Sequence, residues 1–453
     1  MMEIRFLRRE KLCRTFVLGT GLVLASAFLF SEPLYSAVRA EISTAGTPAA
    51  AASDALVADM QGGRTLSLAA LDEMALANHP AIQANEQKIC ALNGRWQQAG
   101  LGPNPEIGYK WEEFNEDAPG GNQVLEFSQE ILGGSQLYHA QAYVSQQIET
   151  VRQELEIAKF RVLTDVRVAV YEYLAIQNKL VHLREISEND AKLAERIQVS
   201  FDNQNASRLD LVNVRIQARK SEQAYLDVQT ELDAAWKRLA ALAGIPDMGP
   251  CVVEAALEEI PEKKTWEHYV QTLQHSSPEI ARAQAKVLEA EKKIAHECSL
   301  DSTNVRVGGE LAYSTGEDMM VGTVSLSVPL RIRDRNQGNI SAARSEAIQA
   351  QKELERVSLG IRHRLADVYA GYTNADRNLE LYRTSLLPEA EEMLKLATVA
   401  YENQESSMLD LVHAQRVYRE TSIEYYDALC EYWKSLTLLE GKLLSGGLDD
   451  ASM

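Results

Sequence analysis

The polar residues with the plainest chemistry in this chain occur twice. Ser207-x-x-Asp210 and Ser407-x-x-Asp410 have the same residue types at the same spacing. A serine followed three residues later by an acid can form a capping box. The hydroxyl accepts a backbone N–H, and the acid favours the positive end of a new helix. The same acids support a second reading. Carboxylates held close together raise one another's pKa and attract cations. The two roles are compatible.

Little else points to chemistry. His413 follows Asp410 by one turn, but the eight histidines include no H-x-x-x-H and no H-E-x-x-H. No metal and no cofactor is expected. There is no P-loop, no G-x-S-x-G and no dinucleotide glycine run, so the chain does not read as an enzyme. Of five cysteines, Cys90, Cys251, Cys298 and Cys430 lie beyond the first 40 residues, without C-x-x-C spacing. Buried single thiols are expected, although a disulfide stays open. Tyr425, Tyr426, Tyr432 and Trp433 read as helix packing.

The elements that must position these residues are written in the rest of the chain. Arg5, Arg8, Arg9, Lys11 and Arg14 precede an apolar stretch from Phe16 to Phe30, and Val38-Arg39-Ala40 suits a cleavage site. Residues 1–40 read as a signal peptide. The chain carries 46 basic and 65 acidic residues, net -19. The leader holds six basic and three acidic residues, which leaves 40 against 62, net -22, after its removal. Such a balance argues against nucleic-acid binding, which needs clustered Lys and Arg. No long apolar run follows the leader, so no helical membrane span is expected.

Residues 41–64, rich in Ala, Ser, Thr and Gly, read as a flexible lead-in. A first repeat is expected over 65–244, a linker over 245–264, a second repeat over 265–444 and a tail over 445–453. The duplication is visible at an offset near 200: Phe201-Asp202-Asn203-Gln204 matches Tyr401-Glu402-Asn403-Gln404. Apolar or small residues at Leu155, Ala158, Val162, Val166, Ala169, Tyr173, Ile176, Leu180 and Leu183 advance in steps of three and four. Leu354, Val357, Ile361, Leu365, Val368, Tyr372, Ala375, Leu379 and Tyr382 advance in the same steps. This is a coiled-coil seam. It predicts long helices from about 135 to 200 and 337 to 400, able to lie side by side, with a kink at Pro388. Shorter helical segments are predicted near 67–99, 207–243, 265–299 and 407–443.

Four short segments alternate with period two: 106–114, 124–131, 304–313 and 321–330. Each pair is joined by a turn signal, Ala118-Pro119-Gly120-Gly121 or Thr315-Gly316-Glu317-Asp318. Strands of about ten residues suit a tilted crossing of an outer membrane. Four strands cannot close a barrel, and lipid tolerates no open edge. The strands therefore belong to an oligomer or to a soluble sheet packed on helices.

Several longer stretches carry a resemblance. They are Asn78-His79-Pro80 before a helix, Gln98 to Glu106 leading into the first strand, Phe127 to Gly134 leading out of the second, Ser325 to Leu330, and the two Leu-Asp-Leu-Val segments. In this order they resemble the TolC family of outer-membrane efflux channels, and within it the CzcC-like branch attached to heavy-metal and related cation exporters. The resemblance covers the chain after its leader. It implies a mainly α fold with a small β part. A homotrimer would close a twelve-stranded β-barrel in outer-membrane lipid, four strands per chain, above a hollow α-barrel of coiled-coil helices in the periplasm. It implies a passive exit duct for metal cations or small toxic compounds. A periplasmic adaptor (membrane fusion protein) would open it and an inner-membrane efflux pump would power it.

The same resemblance implies residue roles. Asp210 and Asp410 fall at the periplasmic gate, six carboxylates in a trimer. Tyr401 lies near the latch, whereas Phe201 packs. Asn213 and His413 stand where some members carry a further acid, and Ser406 where some carry an arginine. Gln204 and Gln404 replace the usual tip-turn glycine; with Ser207 and Ser407 they are expected to meet the adaptor. The latch is expected to be weaker or differently wired. The acidic residues could line the lumen or lie on the outer wall. The rival reading is a secreted periplasmic coiled-coil scaffold or adaptor without a pore.

Overall fold

The computed structural model describes residues 65–112, 121–204, 206–254, 257, 259–314, 318–403 and 405–448. The expected signal peptide and lead-in, most of both predicted hairpin turns, and Gln404 lie outside the described residues.

The first half runs β1 (Thr65–Ser67), α1 (Leu68–Asn78), α2 (Pro80–Ala99), β2 (Glu106–Glu112), β3 (Asn122–Ile131), α3 (Gln136–Asp202) and α4 (Arg208–Leu242). The second runs β4 (Val252–Glu254), α5 (Trp266–Ser276), α6 (Pro278–Ser299), β5 (Val305–Ser314), β6 (Met319–Ser327), α7 (Gln337–Leu381), a π-helical turn (Tyr382–Leu386), α8 (Leu387–Glu402) and α9 (Met408–Glu440).

The duplication extends to local chemistry. Ser67 caps α1 by accepting the Ala70 N–H at 3.3 Å, and Thr265 caps α5 by accepting that of His268 at 3.3 Å. The helical segments predicted at 67–99 and 265–299 are each divided in two. His79 and Ser277, which precede Pro80 and Pro278, are extended with ψ of 126° and 121°. A proline pushes its predecessor out of the α region while itself suiting the first helical turn.

α3 has 67 residues, a rod of about 100 Å at 1.5 Å per residue. Its seam residues Val162, Val166, Ala169, Tyr173, Ile176 and Leu183 are buried, as are Ile361, Leu365, Tyr372, Ala375 and Leu379 of α7. All belong to one core with residues of α1, α4 and α9. The two long helices, whose seams would let them lie side by side, do not pack together directly within the chain. α6 and α9 each pack against both α3 and α7, so the shorter helices fill the two seams from between.

The disturbance expected at Pro388 appears as the π turn one step upstream. The Leu387 N–H bonds to the Tyr382 carbonyl, one residue farther back than in an α-helix. Pro388 has no N–H, and its ring crowds the carbonyl of Thr384; the wider turn accommodates both.

The strands form one antiparallel sheet in the order β2-β3-β5-β6. β6 stops at Ser327, short of the predicted Leu330, because Pro329 cannot donate to a ladder. Register puts Ile107, Phe127, Gly309 and Val324 in one cross-strand row, and Tyr109, Leu125, Leu311 and Gly322 in another. Trp111, Val307, Tyr313, Met320 and Leu326 lie on this same face, and its large side chains are exposed, Val324 to 87%. The opposite face holds every charged residue of the four strands: Glu106, Glu112, Glu126, Glu130 and Glu310 against Lys110 and Arg306. There Lys110 pairs with Glu126, and Arg306 approaches Glu130 at 3.7 Å. β2 and β6 are left as open edges.

Gly133 turns the chain from β3 towards α3. A Cβ at Gly133 would collide with the Thr303 carbonyl, and the next residue, Gly134, has φ +60°. Asn304 secures the turn by accepting from the Gly133 N–H at 3.1 Å and from Gln136 at 2.9 Å.

The stretch between the repeats is tied to both. β4 pairs in parallel with β1. Trp236 donates its indole N–H to the Met248 carbonyl at 2.9 Å, and Trp433 to that of Leu257 at 2.8 Å. Tyr171 stacks on Trp433 with ring centroids 4.3 Å apart. The thiols differ from expectation: Cys430 is buried, but Cys90 and Cys298 are exposed, and all four are free. Among the described residues no helix is long and apolar enough to cross a membrane.

Candidate functional site

The two tip turns join α3 to α4 and α8 to α9. At the first, the helix ends at Asp202 and Gln204 turns the chain in the left-handed region, φ 65°. A residue other than glycine there costs roughly 1–2 kcal/mol. At the second, the Glu405 N–H bonds back to the Ala400 carbonyl at 2.8 Å.

Both turns then build a complete capping box. Ser207 accepts the Asp210 N–H at 3.1 Å, and Asp210 accepts the Ser207 N–H at 3.1 Å and its hydroxyl at 2.6 Å. Ser407 and Asp410 repeat this at 3.3, 3.0 and 2.7 Å. Each box secures donors that a helix start leaves unpaired.

Beneath the boxes lies a small second core of Ile197 of α3, Leu211 and Val214 of α4, and Met408 and Leu411 of α9, with Leu394 and Ala397 of α8 packed against it. Phe201 and Tyr401 pack against it from matching positions. Tyr401 lies within reach of the Asp210 charge across the repeats. Burial first, then the negative charge of Asp210, pushes the Tyr401 hydroxyl above its usual pKa. Asp410 is exposed; its carboxyl is held below the usual range by the bonds from Ser407, with a smaller contribution from His413. The His413 Nδ1 lies 3.0 Å from a guanidinium nitrogen of Arg416. Asn213 is half-buried one turn beyond Asp210. Among the described residues no hydrogen bond or ion pair joins the Asp210 box to the Asp410 box, and no group of three or more His, Cys, Asp or Glu is gathered to hold a metal.

The sequence reading missed a buried polar link above the tips. Asp190 of α3 is only 2% exposed and accepts from the Ser221 hydroxyl of α4 and, at 3.4 Å, from Gln217. Arg419 of α9, also buried, donates to the Ser221 oxygen at 3.3 Å. Burial raises the Asp190 pKa, and the hydrogen bond from Ser221, the charge of Arg419 and the bond from Gln217 offset part of that rise. Higher on the same α3–α9 seam, His182 Nε2 meets the Tyr418 hydroxyl at 3.0 Å and Lys179 pairs with Asp427 at 2.9 Å. A signal existed: Asp190 continues the apolar seam after Leu183 and Ile186, where an acid needs a partner.

Sequence and fold comparisons agree with this architecture. The chain is 23% identical over 428 residues to the cobalt-zinc-cadmium resistance protein CzcC of Cupriavidus metallidurans, covering 92% of this chain and 98% of that protein. The outer membrane protein VceC of Vibrio cholerae superposes with a TM-score of 0.65 at 16% identity, covering 84% of this chain and 96% of VceC. The open state of the MtrE outer membrane channel of Neisseria gonorrhoeae gives 0.66 at 13% identity, covering 84% and 89%. The outer membrane efflux protein family matches residues 71–245 and 269–440, one segment in each repeat. The chain belongs to the outer membrane efflux protein family, with the TolC-like channel fold.

Proposed function

We propose that this protein is the exit duct of a tripartite efflux system that carries metal cations out of the periplasm. The observation that carries the proposal is the four-stranded sheet. One face is apolar and exposed, the other holds all the strand charges, and both edges are open. A sheet in lipid needs an apolar outer face and no free edge. Three copies joined edge to edge satisfy both conditions with twelve strands. The charged face would then line the lumen with five acids against two bases per chain, a field that favours cations. Kinship with CzcC supports metal cations as cargo.

The tip turns are the proposed gate. Asp210 and Asp410, three of each in a trimer, would surround the periplasmic entrance, with Tyr401, Asn213 and His413 shaping it. Gln204, Ser207, Gln404 and Ser407 would face the adaptor, and an inner-membrane pump would supply the energy. A scaffold without a pore would have no use for an exposed apolar sheet face.

The test is the form of the protein in cells. Heat-modifiable trimers in the outer-membrane fraction, crosslinking to an adaptor and a pump, are the expected result. A soluble periplasmic pool of monomers would favour the scaffold.

A further inference from the structure

About 65 Å along α3 from the first tip turn, at 1.5 Å per residue, a cleft opens among α2, α3, α6 and α7. Its volume is about 460 Å³, within the range of small-molecule sites. The cleft is strongly basic in an acidic protein. Among the described residues Lys88, Arg161, Arg282, Arg356 and Arg364 line it, against Glu154 and Glu279.

The acids at hand are already engaged. Glu279 pairs with Arg364, Arg356 with neighbouring Glu353, and Glu154 lies 4.0 Å from Lys88. Arg161 and Arg282 make no hydrogen bond or ion pair among the described residues. The Nε of Arg161 is buried without a partner. A buried donor left unpaired costs about 1–3 kcal/mol, more when charged, and calls for a bound water or ion. Gly360 leaves room, since nothing lies within 4 Å of where its Cβ would be.

We propose that this cleft binds a small polyanion bearing phosphate or carboxylate groups, with Arg161 and Arg282 as its principal ligands. A planar guanidinium matches two oxygens of either group at once. The volume admits a ligand larger than one inorganic phosphate. The site is separate from the tip turns and does not depend on the proposed gate. The overall charge of the chain repels anions, so binding here is a local property of the cleft.

Calorimetric titration of the purified full-length assembly in detergent, with inorganic pyrophosphate and with citrate as probes, tests this. At constant ionic strength the wild type is expected to bind at least one probe. Arg161→Gln with Arg282→Gln should weaken it by about tenfold or more, given two charge-assisted contacts. Arg152→Gln with Arg184→Gln, which removes two exposed guanidiniums elsewhere on α3, should leave the affinity unchanged. Arg282→Gln alone gives the same comparison if the double variant does not assemble. Wild-type protein that binds neither probe, or a cleft variant that binds as tightly as wild type, would overturn the proposal. So would an equal loss in the Arg152 and Arg184 control, which would reduce the effect to net charge.

Discussion

At the first tip turn Asp210 is half-buried, and its charge faces Tyr401 of the other repeat. At the second, Asp410 is exposed and its neighbour is His413, itself in contact with Arg416. The caps are atom-for-atom equivalents, yet their surroundings differ. The supporting helices differ in the same sense. α3 runs unbroken into its turn, whereas the second rod is interrupted by a π turn sixteen residues before its end. Duplication has kept what every helix start needs, a satisfied set of N–H groups. It has not kept what the acids face beyond their own turn. Capping is thus the shared role, and the two turns differ in the groups around each acid.

The repeats differ most at an equivalent pair of arginines. Arg419 is buried against Ser221 and the Asp190 link, while Arg219, two hundred residues earlier, is exposed. Arg419→Ala should cost about 2–3 kcal/mol, because it leaves a buried polar cluster short of its cation. Arg219→Ala should stay within about 0.5 kcal/mol. Denaturation of the detergent-solubilised protein checks both, and equal losses would remove the asymmetry.

A pH titration sharpens the same point. Burial holds the folded pKa of Asp190 above its unfolded value. The native state then binds the proton more tightly than the unfolded chain. Its contribution to stability is present below the unfolded pKa and is lost as pH rises through the folded one. Asp190→Asn should flatten that fall, measured as the melting temperature against pH.

The caps come next. Ser207→Ala and Ser407→Ala should each cost about 1 kcal/mol. Asp210→Ala with Asp410→Ala should leave the trimer intact but raise the leak of the closed channel; trimer loss without added leak would reduce the acids to their capping role. The smallest effect is expected at Gln204. Gln204→Gly relieves the left-handed backbone but adds freedom to the unfolded chain, a net gain of about 0.5 kcal/mol.

Much of this was legible in the sequence wherever the interaction was local or periodic. The seam residues, the alternating strands and both Ser-x-x-Asp boxes follow from spacing of a few residues. What escaped depends on distant partners. The division at His79 and Ser277 is a local exception, where the proline effect outweighs a continuing helical pattern. The pairing of β1 with β4 joins residues 187 apart, Thr65 to Val252. The contact between Arg419 and Ser221 spans 198 positions. No periodicity announces which polar residues will meet across such distances; a polar residue in an apolar seam shows only that one is needed. The packing of α6 and α9 between the long helices escaped for a related reason. Matching seams say that two helices can pair, not that a third will fill the seam first.

The acidic face of the sheet is proposed to line a pore. Conductance of the purified trimer in a planar bilayer, under a potassium chloride gradient, tests it most directly. The account predicts discrete channels whose reversal potential favours potassium, with the preference reduced when Glu106, Glu126, Glu130 and Glu310 are replaced by glutamine. Trimers that insert without conducting, or a channel that prefers chloride, would contradict it.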